Sequence, residues 1–570
     1  MDFAGSLNLT LAWRKTKRDY SHYMNSFISS PYIIRVLEHK KEDWLEDLRE
    51  TLECGEFDPR SPRIIDVPKR DYHLRPASVL HPEDLVVYSA LILEVFDELR
   101  SSIEWSAGEC RYSHILREDI EDSNQWDEFE KPYWKEMQEK KIDLAEENEY
   151  VLETDVSGFY ENIDIERVTS IFKQFTDRQD VGNEIRHLIR PWADPRKRGV
   201  PQGYGPSDIL AEIYLDGVDR RLKNNGFDHV RYNDDFVIFC DSRDAAIEAQ
   251  NLLEREFRIR GLNMKSGKTE IMPSIDALQA YAEPEATFEQ IKEELGDQEA
   301  DDSDEVEDTE TTDRSLAEAA AEYARTVSGG TIPYGTESED RETVSDGGLP
   351  PEEDDSAETA DDSDDEITEE QREYLQEAYS RHIQDKEFKD VDTHIFRYII
   401  NRLGKAEDTI AIDYCIDYIK DGQADVRRIL YNYFKYLPNK DEVAARMASA
   451  VANQELRYNY HNFLILRWLF EEEFNSTEVI HCARQVIGRR NELVESREYA
   501  TAILSEYGDY SDWERIEVLY GEAERELTKA VIAYSLRQYE LGRRKQFYDH
   551  IEGNYELVDM AIKTGDSHTT

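Results

Sequence analysis

Between residues 301 and 366 the chain carries 25 Asp and Glu side chains against 3 Arg, and almost no large apolar residues. Such a composition cannot bury enough surface to offset the entropy of ordering a backbone. With its flanks, residues 294–370, it reads as an acidic disordered linker. It divides the 570 residues into two blocks, and each must build its own core. Ahead of the linker the apolar spacing mixes strand and helix periods; behind it only the helical period is found. The fold class predicted is α+β followed by an all-α block.

The acidity extends beyond the linker. The other 504 residues hold 101 acidic against 66 basic side chains, within a total net charge of −57. A uniformly basic nucleic-acid binder is excluded; locally basic grooves are not. Because the excess is spread over both blocks, it points to a halophilic protein. At about 1 M salt the Debye length is about 3 Å, so dense surface carboxylates barely repel. The five cysteines (Cys54, Cys110, Cys240, Cys415, Cys482) form no CxxC pair, which predicts reduced thiols in a cytoplasmic protein and no zinc site. No run of about 18 apolar residues predicts a membrane span, and MDFAGSLNLT lacks the pattern of a secretory leader.

The last block is periodic. Val443, Val479, Trp513 and Phe547 each follow a polar turn and open an amphipathic run, at spacings of 36, 34 and 34 residues. A second apolar segment precedes each turn. About five helix pairs result, as in HEAT-like repeat stacks over residues 371–562, followed by a disordered tail at 563–570.

Three segments of the first block carry chemistry. In VLETDVSGFYENID an apolar strand, Val151 to Thr154, ends at Asp155, with a turn at Gly158 and Phe159-Tyr160 beyond it. In RYNDDFVIFC the polar Asn233-Asp234-Asp235 forms a hairpin tip between the strands His229–Tyr232 and Phe236–Cys240. Should these strands pair beside the one before Asp155, the carboxylates of Asp155 and Asp234 converge at one sheet edge. Magnesium takes hard oxygen ligands of this kind, and two such ions can activate a hydroxyl and stabilise a leaving oxygen. In GVPQGYGPSDILAEIYL, Gly and Pro exclude regular structure at the start, and Ser207 and Asp208 look like the N-cap of a helix.

In this order the three segments resemble those of reverse transcriptases. Asp155 to Tyr160 is similar to the motif of the first catalytic aspartate, Gly199 to Ser207 to the PQG motif, and Tyr232-Asn233-Asp234-Asp235 to the YxDD box. Pro68-Lys69 with Arg75-Pro76 resembles the fingers strand pair, Gly261-Leu262 with Lys268-Thr269 a further palm motif, and Leu9 to Tyr20 the N-terminal extension of bacterial and archaeal enzymes. The resemblance covers about residues 9–280. It implies a right-hand polymerase, with N-terminal extension and fingers in 1–145 and palm in 146–293. It implies a two-metal site for Mg2+, or Mn2+, held by Asp155, Asp234, Asp235 and the backbone at Val156. Asp155, Asp234, Asp235 and Lys268 become the catalytic set, with Lys268 near the leaving pyrophosphate. Lys69 and Arg75 are to hold the incoming triphosphate, Gln202 and Gly203 to lie against the substrate, and Tyr160 to exclude the ribose 2′-OH. Basic groups such as Arg14-Lys15-Lys17-Arg18, Arg196-Lys197-Arg198, Arg220-Arg221-Lys223, Arg489-Arg490 and Arg543-Arg544-Lys545 are available to line a nucleic-acid groove.

Only about 30 residues separate Lys268 from the linker, too few for a retroviral-type thumb. The layout resembles the abortive-infection, defence-associated reverse transcriptases, in which a helical-repeat domain stands beside the palm. That resemblance implies anti-phage defence, DNA synthesis from dNTPs without a template, a single-stranded DNA product primed on a tyrosine, and a homo-oligomer. The alternative is a retron-like enzyme copying a partner RNA. Deleting residues 301–366 is predicted to leave both blocks folded, since the stretch has no core-forming pattern; circular dichroism and thermal melts of the shortened chain check this, and insoluble protein is the contrary outcome.

Overall fold

The computed structural model describes residues 3–26, 29–69, 72–128, 130–281 and 367–567. Most of the expected linker therefore lies outside the described residues. Its last residues do not. Thr368 caps helix α5 of the later block (Glu369–Tyr379) through a capping box with Gln371, so the ordered block begins ahead of residue 371. The expected tail also shortens, because residues 563–567 complete the helix Glu556–Ser567.

Two compact units result, and they are not consecutive in sequence. The first comprises Met1–Tyr23, Glu53–Arg63 and Ser78–Asp365; the second comprises Met24–Leu52, Ile64–Ala77 and Glu366–Thr570. The first 145 residues, expected as one extension-and-fingers block, are thus shared between the units. A two-stranded sheet, β1 (Arg63–Pro68) and β2 (Leu74–Val79), carries the segment expected as the fingers strand pair and falls largely in the second unit.

The first unit is built on a four-stranded sheet of order β4-β5-β3-β6: β3 is Tyr150–Asp155, β4 Asp228–Tyr232, β5 Asp235–Cys240 and β6 Glu270–Pro273. All pairings are antiparallel. Period-two alternation sends Val151, Val230, Val237 and Phe239 to one face, where they pack on Met137, Ile142, Leu144 and Ala145 of α1 (Glu130–Glu147) and on Ala277 and Leu278 of the helix at 274–281. The other face meets α4 (Arg243–Arg260), whose Ala246, Ala249, Leu253 and Phe257 are buried at helical spacing; Phe257 stands edge-on to Phe236, 5.5 Å between ring centres. Ser242 caps that helix and Gly261, at φ +72°, ends it.

Helix α2 (Ile165–Phe175) follows the first motif, and α3 (Gly205–Asn224) follows the PQG segment. The start of α3 differs from expectation: its N-cap is Tyr204, with no side-chain cap, and Ser207 and Asp208 are buried inside the first turn. Burial on that side explains the shift. Tyr204 donates its hydroxyl to Ser78 O, Ser207 meets the Tyr88 hydroxyl, and Asp19 accepts from the Gly205 amide. These partners lie far away in sequence, so the local cap signal was overridden.

The second unit is helical. After α5 come α6 (Thr393–Lys405), α7 (Ile412–Asp421), α8 (Val426–Asn432), α9 (Lys440–Ala452), α10 (Asn459–Glu471), α11 (Thr477–Ile487), α12 (Val494–Tyr507), α13 (Asp512–Glu522), α14 (Glu526–Ser535), α15 (Leu541–Ile551) and α16 (Glu556–Ser567). Packing alternates. One layer runs α6 on α8, α8 on α10, α10 on α12 and α12 on α14; the other runs α7 on α9, α9 on α11 and α11 on α13. Of the residues expected to open each run, Val443, Val479 and Trp513 are buried near the starts of α9, α11 and α13, whereas Phe547 is half-buried in the middle of α15. The unit also takes in Tyr32, whose ring packs on Tyr534 (4.9 Å) and Phe470 (5.5 Å) beneath the Arg537 guanidinium, and whose hydroxyl donates to Glu506.

At Gly205 a β-carbon would overlap the Trp126 ring. Gly205→Ala is therefore predicted to destabilise the first unit by about 1–3 kcal/mol through overpacking, read as a lowered Tm with the thermal transition of the helical unit unmoved.

Candidate active site

Asp155 is the last residue of β3, and Asp235, the first of β5, lies directly opposite it in the register. Asp234 occupies the two-residue turn between β4 and β5, beside Asn233 at φ +52°, a left-handed conformation that Asn tolerates. The Val156 amide donates to Asp234 O at 3.2 Å, tying the first motif to this turn. The segment at 263–265 closes the other side: Ser157 N donates to Asn263 O and Lys265 N to Asp155 O, both at 2.8 Å. Those bonds use Asp155 and Ser157 and leave the Val156 carbonyl out of the ladder. Gly158, at φ +57°, then reverses the chain into Phe159–Asn162, a conformation a β-carbon would strain.

Three carboxylates at one sheet end repel one another, and their ionisation shows it. Burial, then the charges of Asp235 and Asp155, push Asp234 up to about 7. Asp235 is raised as well, by the protein atoms crowding its carboxylate and by the charge on Asp155, although much of the residue faces solvent. Asp155 moves the other way. Burial opposes ionisation, but Lys268 Nζ at 3.0 Å and Lys265 Nζ at 3.3 Å from Oδ2, with a hydrogen bond shared with Asp234, hold it below the usual carboxylate range. Lys268 is itself raised: its partial burial is outweighed by the bond to Asp155 and by the neighbouring carboxylates.

The turn is gripped from behind by a buried ionic network. Arg231 donates through Nη1 to Asn233 O at 2.8 Å, and through Nη2 to Glu212 Oε2 (2.8 Å) and Asp219 Oδ2 (2.7 Å). Ser113 Oγ accepts from the Asn233 amide at 2.8 Å and donates to Glu212 Oε1 at 2.7 Å. Burial works against the charge on Asp219, yet Arg231 and His229 together hold that carboxyl at about 2. Cys110, Asp219 and His229 bring ligand atoms within 4.8 Å of one another, but the Asp219 carboxylate is committed to Arg231 and His229.

Of the residues expected to act together, the structure gathers Asp155, Asp234, Asp235 and Lys268, with Tyr160 near enough for the Asp234 charge to help raise its phenol. The PQG segment is held beside Tyr160, since Val200 N donates to Tyr160 O and Gly199 N to Ile163 O. Gln202 lies half-buried in the turn leading to α3, and Gly203 is buried at φ +91°. Lys69, exposed, and Arg75, half-buried, stand on the β1–β2 hairpin in the second unit. Several basic groups offered for a nucleic-acid groove turn out to be structural. Lys15 is buried against the carbonyls of Ser123 and Gln125; Arg489 donates to Val451 O and Ala452 O; Arg544 is buried against Arg537 O; Arg220 and Arg221 pair with Asp216 and Glu256. Sequence reasoning missed Lys265, Ser113, Arg231, Glu212 and Asp219; Arg231 beside a catalytic turn, in a strand otherwise buried, was the available signal.

The carboxylates fit a divalent cation by their chemistry: hard oxygen donors, one of them unwilling to ionise without a positive partner. Residues 67–292, less than half of the chain, match the family described as reverse transcriptase (RNA-dependent DNA polymerase). That span is a reverse transcriptase domain, and the activity it indicates is nucleotidyl transfer by an RNA-dependent DNA polymerase. Among solved structures, telomerase from Candida albicans in complex with the TWJ fragment of telomeric RNA is similar at 10% identity and a TM-score of 0.30, covering 84% of this chain and 67% of that one. No curated protein matches the chain.

Asp155→Asn and Asp234→Asn are predicted to abolish nucleotide incorporation. A raised folded-state pKa means the native carboxyl binds more protons than the unfolded one, so ionising Asp234 costs stability as pH rises, with the full cost present above about 7. Without metal, Asp234→Asn should therefore melt above the parent protein, by a margin that widens with pH up to neutrality; Tm series in a chelator measure it.

Proposed function

We propose that this chain is a reverse-transcriptase-type DNA polymerase acting in anti-phage defence, of the abortive-infection kind, which builds single-stranded DNA from dNTPs without a template and primes it on its own tyrosine. One observation carries the polymerase reading: Asp155 and Asp235 face each other across paired strands, with Asp234 on the adjoining turn and Lys268 on Asp155. Magnesium, or manganese, bound there would supply the Lewis acidity that nucleotidyl transfer requires. The remaining work belongs to the chain. Lys268 brings a charged ammonium to the place where pyrophosphate departs. Lys69 and Arg75 offer charge-assisted bonds to the triphosphate. The Tyr160 ring occupies the space a 2′-OH would need, and Gln202 and Gly203 border the substrate.

The defence reading rests on layout: beyond β6 and the helix at 274–281 the described chain resumes as a helical unit, with the alternating layers of a HEAT-like stack. The protein would act in the cytoplasm, as a homo-oligomer. Tyr431, Tyr433, Tyr458, Tyr460 and Tyr507 of the helical unit are candidate primers, and of these Tyr433 is a poor choice, because it is buried, donates to Asp408 O and accepts from Ala411 N. Tyr460 is buried too, and Tyr431 is tied to Glu471. Tyr458 and Tyr507 are partly open, and we place the attachment on one of them. Among the described residues no helix is long and apolar enough to cross a membrane.

Incubation with labelled dNTPs and magnesium, with no added template, is predicted to shift the denatured protein band, and the shift should vanish with DNase and with Asp155→Asn. Label that enters DNA only when RNA is supplied, and never stays with denatured protein, would establish the retron-like alternative instead.

A further inference from the structure

Asp208 has no part in the metal chemistry, yet it is joined to Tyr160 by the shortest kind of hydrogen bond the site contains. The Tyr160 hydroxyl donates to Asp208 Oδ1 at 2.6 Å, and both groups are buried, at 9% and 4% exposure. Asp208 sits in the first turn of α3, which the Asp19–Gly205 contact and the Tyr204–Ser78 contact fix at its start. Behind it, His114 is paired with Asp127 at 3.0 Å; these two line one small cavity with Trp126, Gly205, Asp208 and Ile209. The second oxygen of Asp208, Oδ2, is buried with no hydrogen-bond partner. A carboxylate kept in such a place, half-satisfied, is costly to retain, and its one direct side-chain bond goes to the far end of the Tyr160 ring.

We propose that Asp208 is a determinant of sugar specificity: a positioning residue that pins the para oxygen of Tyr160 and so fixes the direction and depth of the ring. The proposal rests on Tyr160 being the sugar gate. A steric gate discriminates only as far as it resists being pushed aside. The backbone of Tyr160 is already tethered, because Val200 N donates to its carbonyl and Gly158 sets the turn before it. The freedom left to the ring's position is the swing about χ1, and a bond at the phenolic oxygen, the side-chain atom farthest from that axis, restrains it. With that bond lost the ring can yield to a 2′-OH while still filling its place in the core. Asp208 thereby links the PQG segment to the first motif through a side chain that never meets the nucleotide.

The test is the ratio of ribonucleotide to deoxyribonucleotide incorporation, measured as kcat/KM for each by the full-length protein. Asp208→Ala and Tyr160→Phe cut the same bond from its two ends. Each should raise the ratio about 10-fold or more, chiefly through a lower KM for the ribonucleotide. Asp208→Asn keeps an acceptor oxygen and should retain the parent ratio, a rescue that a merely structural role would not produce. Tyr160→Ala separates the two readings. If it leaves the ratio unchanged, Tyr160 is no gate and the reading beneath the proposal falls. If it relaxes the ratio while Tyr160→Phe and Asp208→Ala do not, the gate stands and the role of Asp208 is overturned. Should Asp208→Ala fail to fold, Tyr160→Phe alone decides, since it removes a single oxygen and keeps the ring in the core.

Discussion

Three carboxylates placed within reach of one another on a half-buried sheet end are held there against their own repulsion. The rest of the first unit can be understood as the means of doing so. Two strands meeting in register put Asp155 opposite Asp235, and the turn between strands adds Asp234. Nothing about that geometry is self-stabilising without metal, as the upward displacement of Asp234 shows. Lys268 and Lys265 neutralise part of the charge from one side, while Arg231, Ser113, Glu212 and Asp219 immobilise the turn from the other. With Arg111, which lies 3.9 Å from Glu212, two arginines face the two carboxylates of that second group, so it adds rigidity with little net charge. Breaking one member would leave its partner charged and buried, which is why such networks are costly to alter piecemeal.

Much of this was legible in the chain. The strands that bear the carboxylates were readable because each is a short apolar run with an abrupt polar end, and side-chain alternation puts Val151, Val237 and Phe239 on one buried face. The helical layers were readable because helix packing repeats a local rule at intervals of 34 to 36 residues. What escaped was everything decided by partners far away in sequence. Ser207 and Asp208 carry a cap signal, but Tyr204, Ser78 and Asp19 determine where α3 starts. Basic clusters looked like a groove for nucleic acid, yet Lys15 and Arg489 spend their donors on carbonyl groups. A lysine written in a sequence has a charge and no address; the fold supplies the address.

The two units also solve different problems. The first concentrates like charge and must be stiff. The second stacks amphipathic helices against their next-but-one neighbours, and ion pairs bridge the same neighbours, as Arg446 of α9 to Asp413 of α7 and Arg490, just beyond α11, to Glu522 of α13 do. Exposed pairs of this kind contribute about 0–1 kcal/mol each. In a chain of net charge −57 they serve chiefly to keep carboxylates from facing one another.

The interleaving of the units has a consequence for how the molecule comes into being. Residues 24–52 and 64–77 belong to the unit that residue 366 onward completes. On the ribosome these early segments emerge, and then wait while some 290 further residues are made, roughly 15–60 s at ordinary elongation rates. Tyr32 has no aromatic pocket until Phe470 and Tyr534 arrive. The sheet bearing the carboxylates can form while synthesis continues, but the β1–β2 hairpin must wait for its partners in the helical unit, where Tyr72 donates to Asp421 and lies beneath Arg457. Nascent chains therefore pass through a stage in which the carboxylate sheet is complete while the early segments of the second unit still lack their partners.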